Sequence, residues 1–222
     1  MRGNLLTPSS PHIRMAPRDY DKSSHTGRIK AARLFSNIVS PPVIFAVLGL
    51  AFALAEEPNL TGLFWAAVYG FWVSLFPILV VLYLLKIGKI KELHMTDTRE
   101  RHIPYATAVA GAFIVFALIT WFNGPELLRC LSLFNGVELT ALALINIRWL
   151  ISIHATGIMA AFLLVGLVFG WAVSLILVLP LVIGVIFARL YLKRHSPAQI
   201  AAGLLLGVFS TWVMTLLGCF SS

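Results

Sequence analysis

Long apolar runs separated by short polar stretches occupy most of this 222-residue chain, at about 35–55, 60–85, 104–122, 127–147, 155–169, 172–190 and 198–219. Most of them approach the roughly 20 residues that a helix needs to cross a hydrocarbon core. Apolar residues are continuous within each run rather than alternating, which predicts helices and disfavours a transmembrane barrel. Pro77 and Pro180 fall inside runs, where a proline removes a helix hydrogen bond and predicts a break. Asn123-Gly124-Pro125 and Gly170 predict turns by composition. The pattern gives an all-α fold, a polytopic membrane helical bundle of about seven transmembrane spans over residues 34–222.

Residues 1–33 precede it as a polar arm with Pro8, Pro11, Pro17 and seven basic side chains, and no helical or strand period holds across them. Such a segment predicts a flexible arm on a charged membrane surface. Ala53-Leu54-Ala55 before Glu56 resembles a signal-peptidase site, but the basic region ahead of it is too long for an ordinary signal peptide. The first run is therefore kept as a span.

Composition agrees with the pattern: 59% of residues are hydrophobic, 12% are charged, and the mean hydropathy is +0.89. The net charge of +8 does not point to nucleic acid, because the basic residues mostly flank apolar runs, where orientation and anionic headgroups account for them. Seven crossings bring the polar clusters at 86–102, 148–154 and 189–195 back to the face that holds the N-terminus. Sixteen of the 17 Lys and Arg residues fall on that face, with Arg129 alone on the other. The positive-inside rule then puts the clustered face and the N-terminus in the cytoplasm, the bilayer expected being a bacterial inner membrane. Cys130 and Cys219 form neither a disulfide framework nor a metal knuckle and read as buried filler. Gly157, Ala160, Ala161, Ala201, Ala202, Gly203 and Gly207 read as close helix packing. Glu138, an acid inside a span, is costly unless paired or facing a cavity, and its depth argues against direct catalysis.

The candidate chemistry lies between the last two runs, from Ala188 to Gln199. Arg189 and His195 are six residues apart and would face different ways on one helix, so they converge only if the helix ends between them. Pro197 predicts that break, with Ser196 as N-cap and Ser196-x-x-Gln199 as a capping box. An arginine fork beside an imidazole suits a phosphate, since Arg binds its oxygens in pairs and His can be nucleophile or acid near neutrality.

Arg189, five residues, His195, three residues, Gln199 resembles the third signature of the type 2 phosphatidic acid phosphatases, the membrane branch related to vanadium haloperoxidases. That signature is Ser-Arg, five residues, His, three residues, Asp; here Ala188 replaces Ser and Gln199 replaces Asp. Ile151-Ser152-Ile153-His154 resembles a degenerate form of the second signature, Pro-Ser-Gly-His. The first, Lys, six residues, Arg-Pro, has no clean copy: His94 with Arg101 is one register and Lys91 with Arg99 is another, one residue too long. The resemblance implies a phosphatase with no cofactor and no metal, acting on a lipid phosphate within the bilayer. His195 would be the nucleophile and His154 the acid and base, with Arg189 holding the phosphoryl oxygens. Arg101, Arg99, Ser152 and Lys91 would add phosphate contacts, Arg148 would be either a further contact or an interfacial anchor, and Gln199 would orient His195. Lys193 and Arg194 read as solvated membrane anchors.

Two other classes stand beside this one. A lipid-binding subunit with a decayed site fits the missing Lys-Arg-Pro and Asp. A transporter fits the proline-broken spans, although no inverted repeat is visible. An intramembrane prenyl transferase needs paired Asp-rich motifs for magnesium, and this face has only Asp19, Asp21 and Asp97.

Overall fold

A computed structural model describes residues 17–18, 27–90 and 98–220 of the chain. All regular structure among the described residues is helical. The helices are α1 (Gly27–Ile38), α2 (Pro41–Glu56), α3 (Leu60–Gly70), α4 (Phe76–Lys86), α5 (His102–Trp121), α6 (Glu126–Asn146), α7 (Ile153–Phe169), α8 (Trp171–Val173), α9 (Leu179–Tyr191) and α10 (Pro197–Leu216). Five continuous helical stretches are long and apolar enough to cross a membrane: Leu60–Lys86, His102–Trp121, Glu126–Asn146, Trp171–Tyr191 and Pro197–Leu216. A sixth arises if α1 and α2, bent by 41°, make one crossing. Large apolar side chains such as Ile176, Phe187 and Leu205 are more than half exposed around the outside, as lipid-facing positions should be.

The fifth expected span is α7, whose 17 residues fall short of those five stretches, so five or six spanning helices stand where seven were expected. At 1.5 Å per residue it is about 25 Å long. It runs beside α10 in the same direction: a Cβ on Gly203 would lie 2.7 Å from the Ser152 carbonyl oxygen, and one on Gly207 would lie 2.6 Å from that of Thr156. Only glycine lets the two backbones approach so closely, and the small-residue stripe is a packing seam, as the sequence indicates.

The prolines inside the long stretches act locally. Phe71–Leu75 and Ser174–Val178 each form a π-helical turn just ahead of Pro77 and Pro180. A proline has no N–H and its ring crowds the carbonyl four residues back, so a widened turn relieves the clash. A serine in each wide turn bonds a neighbouring helix: Ser74 Oγ donates to the Pro42 carbonyl at 2.6 Å, and Ser174 Oγ donates to that of Phe162. The freed space is used for interhelical hydrogen bonds.

Two expectations are corrected. The expected arm ends earlier than residue 33, because Gly27 to Ile38 are helical and Phe35 packs against Gly184 of α9. The cysteines are not inert filler: Cys130 and Cys219 form a disulfide across 89 residues of sequence. Spacing could not reveal it, since the partners meet only because α6 begins where α10 ends. That end of the bundle also holds Phe52, Phe169 and Phe220 in ring contact, and Glu56, whose carboxylate accepts the Leu127 N–H at 2.8 Å and so caps α6.

Candidate functional site

The opposite end of the bundle gathers the polar segments. Helix α9 stops because Lys193 takes a left-handed conformation, φ 53°, while the N–H of Arg194 bonds the Arg189 carbonyl at 3.1 Å and that of Lys193 bonds Leu190 at 3.0 Å. This is a Schellman closure, and it turns the chain back under the last turn of the helix. Ser196 then caps α10, its Oγ accepting the Gln199 N–H at 3.2 Å while Gln199 Oε1 accepts the Ser196 N–H at 2.8 Å. The capping box and the helix break are as the sequence predicts, and together they return His195 toward Arg189.

Arg189 is 4% exposed, and its Nη1 donates to Ser36 Oγ of α1 at 3.1 Å. His195 is 7% exposed. The Leu150 carbonyl accepts from its ring, and because Nδ1 has no hydrogen-bond partner the donor is Nε2–H. Burial pushes this imidazole well below its usual range, helped by the charges of Arg189, Arg101 and Arg194 and opposed by the Leu150 carbonyl. The ring is therefore neutral near pH 7, with a lone pair on Nδ1. Arg101 ends the short 3-10 turn Thr98–Arg101, and burial also lowers its pKa. It bonds the hydroxyl of Tyr105, which takes a 2.6 Å bond from Asn146 Nδ2. Asn146 Oδ1 in turn accepts the Ile151 N–H at 2.8 Å. This chain of bonds fixes the 147–152 loop and so places the Leu150 carbonyl against His195.

Other predicted residues fall in various places. Ser152 is fully buried as the N-cap of α7: its Oγ accepts the Ala155 N–H at 3.3 Å, and its own N–H bonds the Gln199 carbonyl at 3.2 Å. It splices the second motif to the third rather than standing open to solvent. His154 is half-buried on the first turn of α7, and Arg148 is exposed. Lys91 lies outside the described residues, and of Arg99 only the backbone, within the short turn, is described. Gln199 commits its carbonyl oxygen to Ser196, so the group holding the His195 ring is a backbone carbonyl. The sequence reading missed Arg194, whose charge acts on both His195 and Arg101, and the supporting Ser36, Tyr105 and Asn146. Adjacency to His195 was a signal for Arg194; nothing local marks Ser36, 153 residues from its partner. The amino-terminal arm touches this end too: the Arg18 N–H bonds the Leu192 carbonyl at 3.1 Å, and its guanidinium lies 4.8 Å from the centre of the Tyr191 ring.

Fold and site together define an all-helical bundle, with five or six helices able to span a membrane and a buried histidine among arginine charges at one end. No protein-family profile, curated protein or solved structure matches the chain.

Proposed function

We propose that this chain is an integral-membrane phosphatase that hydrolyses a phosphomonoester or diphosphate of a lipid through a phosphohistidine on His195. The observation that carries the reading is the meeting of His195 and its sequence neighbours Arg189 and Arg194 with the charge of Arg101, which comes from a distant segment, at one end of an apolar bundle. A neutral imidazole nitrogen whose lone pair takes no hydrogen bond is a nucleophile once substrate reaches it, and guanidinium groups around it neutralise the oxygens of a phosphoryl group. His195 Nδ1 attacks phosphorus, the bond from phosphorus to the lipid oxygen breaks, and His154 gives that oxygen a proton. Water then attacks the phosphohistidine, His154 takes its proton, the P–N bond breaks and inorganic phosphate leaves. Phosphatidate, phosphatidylglycerophosphate and isoprenyl diphosphates are the substrates that suit a headgroup site at the end of a lipid-facing bundle. The test measures phosphate release from these three by the purified protein, with EDTA present and His195→Ala in parallel. Release that survives EDTA and vanishes in the variant supports the reading; equal release from both proteins overturns it.

The capping role of Gln199 favours one competing reading, a site that binds lipid phosphate without turnover, because among the described residues no carboxylate acts on His195. Tight lipid binding with no phosphate release would establish that reading instead.

We further propose that the arginine-rich end faces the cytoplasm. The disulfide supports this, since it lies at the end poor in basic residues, and disulfides persist in oxidising compartments such as the bacterial periplasm.

A further inference from the structure

A partly open cavity of about 80 Å³ lies where the amino ends of α2 and α7, the proline break before α4, and α5 and α6 meet. One water needs about 10–15 Å³ of such space, so several fit. Pro42, Val73, Pro77, Asn135, Glu138 and Gly157 are among its lining residues. Glu138 is 2% exposed, and its Oε1 has no hydrogen-bond partner. It is eight residues, about 12 Å along the helix, from the Asn146 end of α6.

An acid at that depth is expensive unless it faces a partner or a cavity, and here Glu138 lines a cavity while its Oε1 has no hydrogen-bond partner. None of the other lining residues titrates or carries charge; beyond them, the charge of Glu138 acts on the Tyr69 hydroxyl of α3. Asn135 sits one turn before Glu138 on the same side of α6. Its Nδ2 is used twice, donating to Tyr69 Oη at 2.7 Å and to the Leu131 carbonyl at 2.8 Å, which leaves Oδ1 as the acceptor of the amide. Pro77 contributes by omission, having no N–H to offer the Val73 carbonyl four residues earlier. The wall is mostly apolar, with Glu138 and Asn135 as its polar side chains, and it supplies no positive charge of its own.

We propose that Glu138 and Asn135 form an intramembrane binding site for a small monovalent cation, a proton or Na⁺, seated in this cavity. The charge of the ion balances the carboxylate, and water in the cavity completes its shell. Because Gly157 lies one turn beyond the first turn of α7, where His154 sits, the ion is stationed just beneath the candidate site. The inference rests on the cavity and the lone carboxyl, and it stands or falls apart from the phosphatase reading.

The test exposes the detergent-solubilised full-length protein to a membrane-permeant carbodiimide, which adds to protonated carboxyl groups, and reads the adduct at Glu138 by peptide mass spectrometry. Labelling is followed from mildly acid to alkaline pH, in sodium chloride and in choline chloride, with Glu138→Gln as the blank. The expected result is an adduct at Glu138 whose yield falls about tenfold per pH unit on the alkaline side. Protection by sodium but not choline identifies Na⁺ as the ion; equal labelling in both salts identifies the proton. Absence of an adduct at every pH, in protein that keeps its thermal transition, overturns the proposal, as does an adduct whose yield is insensitive to pH.

Discussion

Among the described histidines, His195 is set apart by burial, and both that burial and the arginine charges around it act in one direction. Each disfavours the imidazolium, so the folded pKa lies below the value near 6.5 of an exposed histidine. The unfolded chain therefore binds a proton that the folded chain refuses once the pH falls below about 6.5. The stability contributed by this site is complete above that pH and is lost as the pH drops toward the lower folded value. Thermal unfolding across this window is expected to show the loss in the native protein, and His195→Gln should flatten it. If His195 is the nucleophile, the acid limb of kcat/KM also lies below 6.5, and a limb at or above 6.5 would count against that role. Arg189 is expected to resist conservative exchange, because its guanidinium bonds Ser36 and bears on His195 at once. Arg189→Lys should lower kcat by about a hundredfold or more, with Ser36→Ala causing a smaller loss through positioning.

At the scale of the helices, the site depends on a seam that contains none of its chemistry. Gly203 and Gly207 bring α10 against α7, and the Ser152 N–H bond to the Gln199 carbonyl closes the seam at its amino end. Any Cβ at Gly207 forces two backbones apart, and overpacking of this kind typically costs about 1–3 kcal/mol. Gly207→Val should therefore lower the melting temperature in detergent. It should also reduce phosphate release beyond what the lost folded fraction explains, because the 147–152 loop carrying the Leu150 carbonyl moves with α7. Ser196→Ala removes the side-chain half of the capping box, a loss of about 0.5–2 kcal/mol.

At the scale of the whole molecule, the two ends of the bundle differ in chemistry. One end holds Arg189, His195, Arg101 and Asn146; the other holds the Cys130–Cys219 disulfide and the Glu56 cap on α6. Unreduced membranes are expected to yield protein without free thiols. Reduction should lower the melting temperature, by the equivalent of about 2–4 kcal/mol, and leave lipid phosphate release at the distant site intact. A C-terminal alkaline-phosphatase fusion at Ser222 should be active and a fluorescent-protein fusion dark; the reverse pair would invert the proposed orientation.

The helices were legible from sequence because lipid as solvent demands long apolar runs, and the breaks at Asn123, Gly170 and Ser196-Pro197 were legible because each needs a particular backbone or cap. The convergence of Arg189 with His195 followed from the same local signals. The disulfide, the pairing of Ser36 with Arg189, the carbonyl that holds His195 and the cavity around Glu138 are different in kind. Each joins residues that are distant in sequence, so only the packing of one helix against another decides them, even for Glu138, which the sequence marks as needing a partner or a cavity. Periodicity and capping are properties of neighbouring residues, whereas a hydrogen bond across 153 residues exists only once the chain has closed on itself.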